Sequence, residues 1–480
     1  MKRLVLALIS LTAPVCHAAT PERPHVLFIA IDDLRPELGC YGASHVHSPN
    51  IDRFASEALL FNRAYTPMAV CMPARASLMS GYRPLTGKMY GRKAMVDHVP
   101  DALSLNQHFL NEGYETVTIG KIYHHDKDEA AGWTRRYRNI RGNWGPRGYV
   151  EETSLELERA NKPSGRKGPT FENADVPDDG YQTAAFADKA IEELRNITIK
   201  PLFLALGFRK PHLPFNAPQT YWDLYDRDQI APTAFPDPPD GAAREGLSNW
   251  GELRSYHDMP SEGPLPEESA LDLIHGYYAC ISYVDAQLGR VLAEVDRLGL
   301  RDNTVVVLWS DHGWKLGDYG MWCKHTNYEI DTRVPLIIRA PGMTEIGTKT
   351  DALVDLVDIY PTLCELTGIS SPPHLDGLSF APLLTHAQQP WKPAAFSIWA
   401  GTSAIEGKGN IGYSMRYGDY RYTEWRRTRN DELVSRELYD QSRGTMVRKN
   451  LIDEPDRAAL VSECAEVLRD GHRKTWSLTE

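Results

Sequence analysis

Four places in this chain set reactive side chains within five residues after a short apolar run. Asp32-Asp33 follow Val26–Ile31, and Lys121 and His124 follow Thr116–Ile119. His212 follows Leu202–Gly207, and Asp311-His312 follow Thr304–Trp309. A fifth group, Cys71, stands before Pro73 and Arg75, where a helix is expected to open. Helix N-termini carry partial positive charge, which suits a reactive group or a bound anion. Taken singly, each residue has an ordinary structural reading. Paired aspartates cap turns, a lone loop histidine packs, and a cysteine is a small buried hydrophobe. Taken together they describe a site, because open α/β sheets bind ligands outside the carboxyl ends of their strands. If Asp32, Asp33 and Asp311 meet, each pair about 4 Å apart costs about 4 kcal/mol at an effective dielectric near 20. Three such pairs cost about 12 kcal/mol, more than many domains have to spare. A divalent cation relieves that conflict. Oxygen ligands favour calcium or magnesium, while His312, a softer donor, keeps zinc and manganese open.

The elements that must carry these residues alternate apolar runs with amphipathic stretches, the pattern of an α/β sheet core. Strands are predicted at Val26–Ile31, Thr116–Ile119, Leu202–Gly207, Thr304–Trp309 and Leu336–Arg339. Helices are predicted at Ile51–Leu59, Leu103–Asn111, Thr183–Arg195, Glu267–Arg297 and Leu356–Leu366. Two polar stretches rich in Gly, Pro and charge, Trp133–Pro177 and Pro236–Glu252, read as surface loops. "GYSMRYGDYRYTEWR" alternates as antiparallel strands do, and Asp453–Asp470 reads as a closing helix. The expected organisation is a leader at 1–19, a large unit at 20–376 and a smaller C-terminal subdomain at 377–480.

The gross numbers narrow the functional classes. A length of 480 residues allows one large core and a satellite, and 42% hydrophobic with 24% charged residues is ordinary for a globular protein. A net charge of −11 argues against nucleic acid as the main partner. Lys2, Arg3 and the apolar Leu4–Val15 before small residues form a signal peptide, so the chain is expected to be exported, periplasmic or secreted. No later run reaches the roughly 20 apolar residues of a membrane span. Six cysteines follow the leader, with no dense spacing of the disulfide-scaffold type.

Cys71-Met72-Pro73-Ala74-Arg75 has the C-x-P-x-R form, with Asp-Asp upstream and "SDHG" downstream. In this the chain resembles the formylglycine-dependent type I sulfatases, and within them it looks most like the iduronate-2-sulfatases. The stretches "DDLRPELGCYG", "GKIYHH", "RKPHLPF" and "SDHGWKLGDYGMWCKHTNYE" carry that resemblance across nearly the whole mature chain. One departure is that the auxiliary Leu-Thr-Gly-Arg reads Met79-Ser80-Gly81-Tyr82, followed by Arg83.

The resemblance implies an alkaline-phosphatase-like fold: a large central mixed β-sheet flanked by helices, plus a C-terminal antiparallel sheet with a closing helix. It implies that a maturation enzyme converts Cys71 to formylglycine, whose hydrate attacks sulfur and then releases sulfate. It implies one Ca2+ held by Asp32, Asp33, Asp311, His312 and the modified Cys71. Arg75, Lys121 and Lys324 would surround the sulfate and the diol, His124 would assist aldehyde regeneration, and His212 would donate a proton to the leaving oxygen with Lys324. The expected substrate is a sulfated saccharide, with an exo-acting attack on 2-O-sulfated uronic acid leading and ulvan or carrageenan as rivals. Two basic-aromatic groups are expected to grip it. The first holds Arg135, Arg136, Arg138, Arg141 and Arg147, and the second holds Arg416, Arg421, Tyr422, Trp425, Arg426 and Arg427. A phosphomonoesterase or phosphonate hydrolase of the same superfamily, and a non-catalytic polysaccharide-binding protein, are the competing functions.

Overall fold

The structure, a computed structural model, describes residues 23–471; the expected leader at 1–19 lies outside them. Strand β1 (His25–Ile31) is buried along its whole length. A continuous apolar run is what a strand covered on both faces needs. Leu27, Ile29 and Ile31 point into one core, and Val26, Phe28 and Ala30 into the other. Around it the main sheet adds β2 (Leu59–Phe61), β3 (Glu115–Gly120), β4 (Arg135–Tyr137) and β5 (Leu202–Phe208). It is completed by β6 (Thr304–Ser310), β7 (Leu336–Arg339) and β8 (Thr348–Thr350). The order is β8-β2-β7-β6-β1-β5-β3-β4. β6, β1, β5 and β3 are adjacent and parallel, whereas β7 runs antiparallel to β6 and to β2. The four strand ends singled out in the sequence therefore open on one edge of the sheet.

Helices cover both faces. On one, α5 (Gln182–Arg195) and the 31-residue α6 (Glu267–Arg297) bury Phe186, Ala190, Tyr277, Tyr283 and Leu288 against the sheet. On the other lie α2 (Cys71–Ser80), α3 (Leu105–Asn111) and α7 (Ile359–Thr367). The expected helix at Ile51–Leu59 is instead α1 (Pro49–Ala55), because Leu59–Phe61 pairs with β7 as a strand. Pro49 opens α1, where its missing N–H costs nothing. Trp133–Pro177 is more than a surface loop. It supplies the edge strand β4 and α4 (Glu152–Asn161), whose polar composition reflects a helix with one buried residue, Ser154.

The C-terminal part forms an antiparallel sheet of four strands: β9 (Ala394–Ala400), β10 (Asn410–Tyr417), β11 (Tyr420–Arg427) and β12 (Leu433–Asp440). It packs under α8 (Ala458–Gly471) through Phe396, Tyr422, Leu438, Cys464 and Leu468. The second basic-aromatic group belongs to this sheet, and its centre is buried. Arg421 is 1% exposed and donates twice to Glu329, at 3.0 and 2.8 Å, while Arg416 lies 3.6 Å from the same carboxylate. The Tyr65 hydroxyl donates to Glu329 at 2.7 Å. Arg416 and Arg421 thus fasten the small sheet to the short helical turn at Glu329–Thr332 that leads into β7, and are turned away from solvent, contrary to the expected role in gripping substrate. Removing one partner of a buried ion pair strands the other charge. Arg421→Ala is expected to cost about 3–5 kcal/mol, read as a lowered urea midpoint, and adding Glu329→Gln should recover part of it. An unchanged midpoint would show that the pair carries no structural weight.

Candidate active site

At the edge where β6, β1, β5 and β3 end, the chain turns sharply and leaves its polar residues together. Asp33 sits at φ 61°, a left-handed backbone that the Tyr277 hydroxyl on α6 stabilises by donating to its carbonyl at 2.8 Å. The Asp33 N–H donates to Asp311 Oδ1 at 3.1 Å, tying the ends of β1 and β6. Helix α2 begins at Cys71 and stops at Gly81, whose φ of 76° suits a C-terminal cap. Cys71 and Arg75 are four residues apart and so share one face of that helix. Arg75 donates to Asp311 Oδ2 and Asp32 Oδ1, each at 2.8 Å, and to the carbonyls of Lys121 and Ile122. Its guanidinium is wholly buried against Trp309 and faces the carboxylates.

Lys121, at the end of β3, donates to Asp32 Oδ2 at 2.6 Å. Gly207 makes this possible, since a Cβ there would meet the Lys121 carbonyl oxygen at 2.1 Å. Lys324 is held between Cys323 and His325, both at positive φ, and reaches Asp33 Oδ2 at 2.9 Å. Three cations thus meet three buried aspartates, and the repulsion assigned above to a metal is answered by side chains. Burial opposes ionisation of Asp32, but Lys121 and Arg75 outweigh it and hold the carboxyl well below its ordinary range. Burial pushes the Cys71 thiol well above its ordinary value, so the unmodified side chain is a protonated, weak nucleophile.

The donor set fits a cation. Ligand atoms of Asp33, Cys71, Asp311 and His312 lie within 4.8 Å of one another, as do those of Asp32, Asp33, Cys71 and His212. His312 Nδ1 faces the Gly313 carbonyl at 2.9 Å and therefore donates to it, which turns Nε2 toward Asp33 Oδ1 and Cys71 Sγ, both at 3.2 Å. That is the orientation of a metal-ligating imidazole with its second nitrogen anchored.

Beside the centre opens a cavity of about 400 Å³ lined by Asp32, Lys121, His124 and His212. Arg138, Arg147, Arg209 and Lys210 make its wall basic. The first basic-aromatic group therefore divides. Arg138 and Arg147 line the cavity while pairing with Asp126 and Glu129 and with Glu158, Arg135 pairs with Glu115 and Glu193, and Arg136 donates to the Glu129 carbonyl at 2.8 Å away from the cavity. Burial, then Lys121, depresses His124 to about 4.

One residue escaped the sequence reading. Glu252 accepts from Lys324 Nζ at 2.8 Å and lies 3.2 Å from His212 Nε2, so a single carboxylate joins both groups. It comes from Pro236–Glu252, read above as a surface loop. The buried Trp250 and Leu253 anchor that segment in the core, and these apolar residues flanking an acid were the available signal. Among the described residues all six cysteines are free.

The chain belongs to the sulfatase family: residues 24–369 match the family sulfatase, and residues 317–474 match N-sulphoglucosamine sulphohydrolase, C-terminal. It is accordingly a sulfuric ester hydrolase. It is 30% identical to iduronate 2-sulfatase of Homo sapiens, over 87% of this chain and 88% of the human one. It is also 30% identical to a sulfatase of Formosa agariphila, over 88% of this chain and 81% of the other. Its fold superposes on the crystal structure of a phosphonate monoester hydrolase of Agrobacterium radiobacter with a TM-score of 0.74, at 24% identity, covering 94% of this chain and 96% of that one. No helix among the described residues is long and apolar enough to cross a membrane.

The unfolded chain binds a proton at His124 near pH 6.5 and the folded protein only near about 4. Between these values the unfolded state holds more protons, so stability falls as pH is lowered. His124→Gln is expected to remove about one proton from the slope of unfolding free energy between pH 6.5 and 4. Equal slopes in the two proteins would reject the depressed value.

Proposed function

We propose that this protein is an exported, formylglycine-dependent carbohydrate sulfatase that removes sulfate from a 2-O-sulfated uronic acid at a chain end. The observation that supports it best is the basic cavity beside the aspartate cluster, where Arg138, Arg147 and Arg209 stand with Lys121 and His124 around Asp32. A uronate sulfate carries a carboxylate as well as a sulfate ester, and guanidinium groups suit both. The identity with iduronate 2-sulfatase over most of both chains supports the same substrate class.

A formylglycine at position 71, once hydrated, would supply a nucleophile for sulfur and a second hydroxyl through which the sulfate is later released. Asp32, Asp33, Asp311 and His312 would hold a divalent cation, best calcium for so oxygen-rich a set, adding positive charge opposite the ester. Lys121 and Lys324 extend ammonium groups toward the same space, where charge spreads over the sulfuryl oxygens during transfer. His212 and Lys324, drawn together by Glu252, stand where the sugar oxygen departs and supply its proton. His124, neutral above pH of about 4, is able to accept a proton when residue 71 is regenerated.

Two measurements test this reading. Mass spectrometry of the active, secreted protein should find the Cys71 thiol replaced by an aldehyde, together with one calcium per chain in elemental analysis, and a desulfation screen should favour 2-O-sulfated uronate. Full turnover by protein with an intact thiol would sink the mechanism; preference for ulvan or carrageenan oligosaccharides would overturn the substrate. The second concerns Glu252 as a positioning residue. Glu252→Gln should lower kcat on a sugar sulfate by about 100-fold, the scale of lost acid catalysis, and lower it far less on 4-nitrophenyl sulfate, whose phenolate leaves unprotonated. Equal losses on both would place Glu252 outside proton delivery.

A further inference from the structure

A second cavity, of about 660 Å³, lies on the other side of the His212–Glu252 pair and shares no lining residue with the basic one. Its floor is the first turn of α2, Met72 and Pro73, directly after Cys71. One wall is the segment Leu247–Asn249 leading to Glu252, and the other is Trp399 at the end of β9, from the C-terminal sheet. Trp399 is half-buried, its ring 5.4 Å from that of His325, so it is braced from behind and leaves a face toward the cavity. Arg92 closes the rim by donating to Thr402 Oγ1 at 2.6 Å, bridging the large and small parts of the chain.

We infer that this cavity is a subsite for an uncharged pyranose, the sugar next to the sulfated one in the same chain. This rests on the carbohydrate reading proposed above. Chemistry distinguishes the two cavities. The first gathers Arg138, Arg147, Arg209 and Lys210 besides Lys121, with Arg138 paired to Asp126 and Glu129 and Arg147 to Glu158, whereas here a single cation, Arg92, stands opposite a single carboxylate, Glu252. The second cavity therefore has no surplus charge for an anionic sugar. Its broadest aromatic face, beside the smaller rings of Tyr90 and His325, is the Trp399 indole, to whose negative face the polarised C–H groups of a pyranose are complementary. Ser248, Asn249 and Thr402 stand round that face and suit the ring's hydroxyls. Pockets of roughly 300–1,000 Å³ with apolar walls and a few polar groups are the usual form of small-ligand sites. Continuity decides the occupant. His212 lines the basic cavity and its partner Glu252 lines this one, so a chain whose terminal sulfated residue sits in the first and crosses that pair enters the second.

Kinetics on a 2-O-sulfated uronate monosaccharide, and on the same residue extended by one uncharged hexosamine, test the inference. The unsubstituted enzyme should prefer the disaccharide through KM. Trp399→Ala should lower the ratio of kcat/KM for disaccharide over monosaccharide by about tenfold, the scale of one lost aromatic contact. The loss should fall on KM, and Trp399→Phe should restore most of it. Thermal unfolding of both variants checks the fold, and monosaccharide kinetics provide the internal reference. If Trp399→Ala keeps the disaccharide preference, or loses both substrates alike, the subsite is wrong while the sulfatase reading stands. If the unsubstituted enzyme cleaves aryl sulfate but neither saccharide, the carbohydrate reading fails and takes the subsite with it.

Discussion

Three carboxylates buried at one edge of a sheet set the terms for everything near them. Asp32, Asp33 and Asp311 are at most 1% exposed, and none could stay ionised there alone. Arg75, Lys121 and Lys324 each arrive from a different element to answer one or two of them. The cluster is close to neutral before anything binds. Two consequences follow for the proposed chemistry. A divalent cation added to a neutral cluster leaves two positive charges among buried side chains. Sulfate, the anion released, carries two negative ones.

The same demand explains local backbone that would otherwise be costly. Asp33, Cys323 and His325 all adopt positive φ, which disfavours residues with a Cβ by about 1–3 kcal/mol each. Each lies in or next to a residue that must face the cluster. Gly207 shows the complementary device, giving up a side chain so that two chain segments can touch.

Much of this was legible from local pattern. Apolar runs ending in Asp32, Lys121 and Asp311 announce covered parallel strands, and adjacency in the sheet brings their ends together. Cys71 and Arg75, one helical turn apart, needed only the helix. What local pattern could not show was partnership over distance. Arg421 reads as a surface cation until Glu329, 92 positions earlier, is found against it. Glu252 reads as loop charge because its partners, Lys324 and His212, lie on other segments. Helix α4 escaped because its polar faces leave little apolar period to detect, and β2 because three residues are too few to alternate.

The depth of Cys71 has a bearing on biosynthesis. Only 5% of its surface meets solvent, and Arg75, the other marker in its motif, is wholly enclosed. If formylglycine forms there, the maturing enzyme has to read Cys71, Pro73 and Arg75 on a chain that has not yet wrapped α2 into the core. Folding then acts as a deadline. A molecule that closes first keeps its thiol, retains the same fold and the same cavity, and becomes a permanent inert companion of the active form. The specific activity of a preparation would record a race between two rates, one belonging to this protein and one to another.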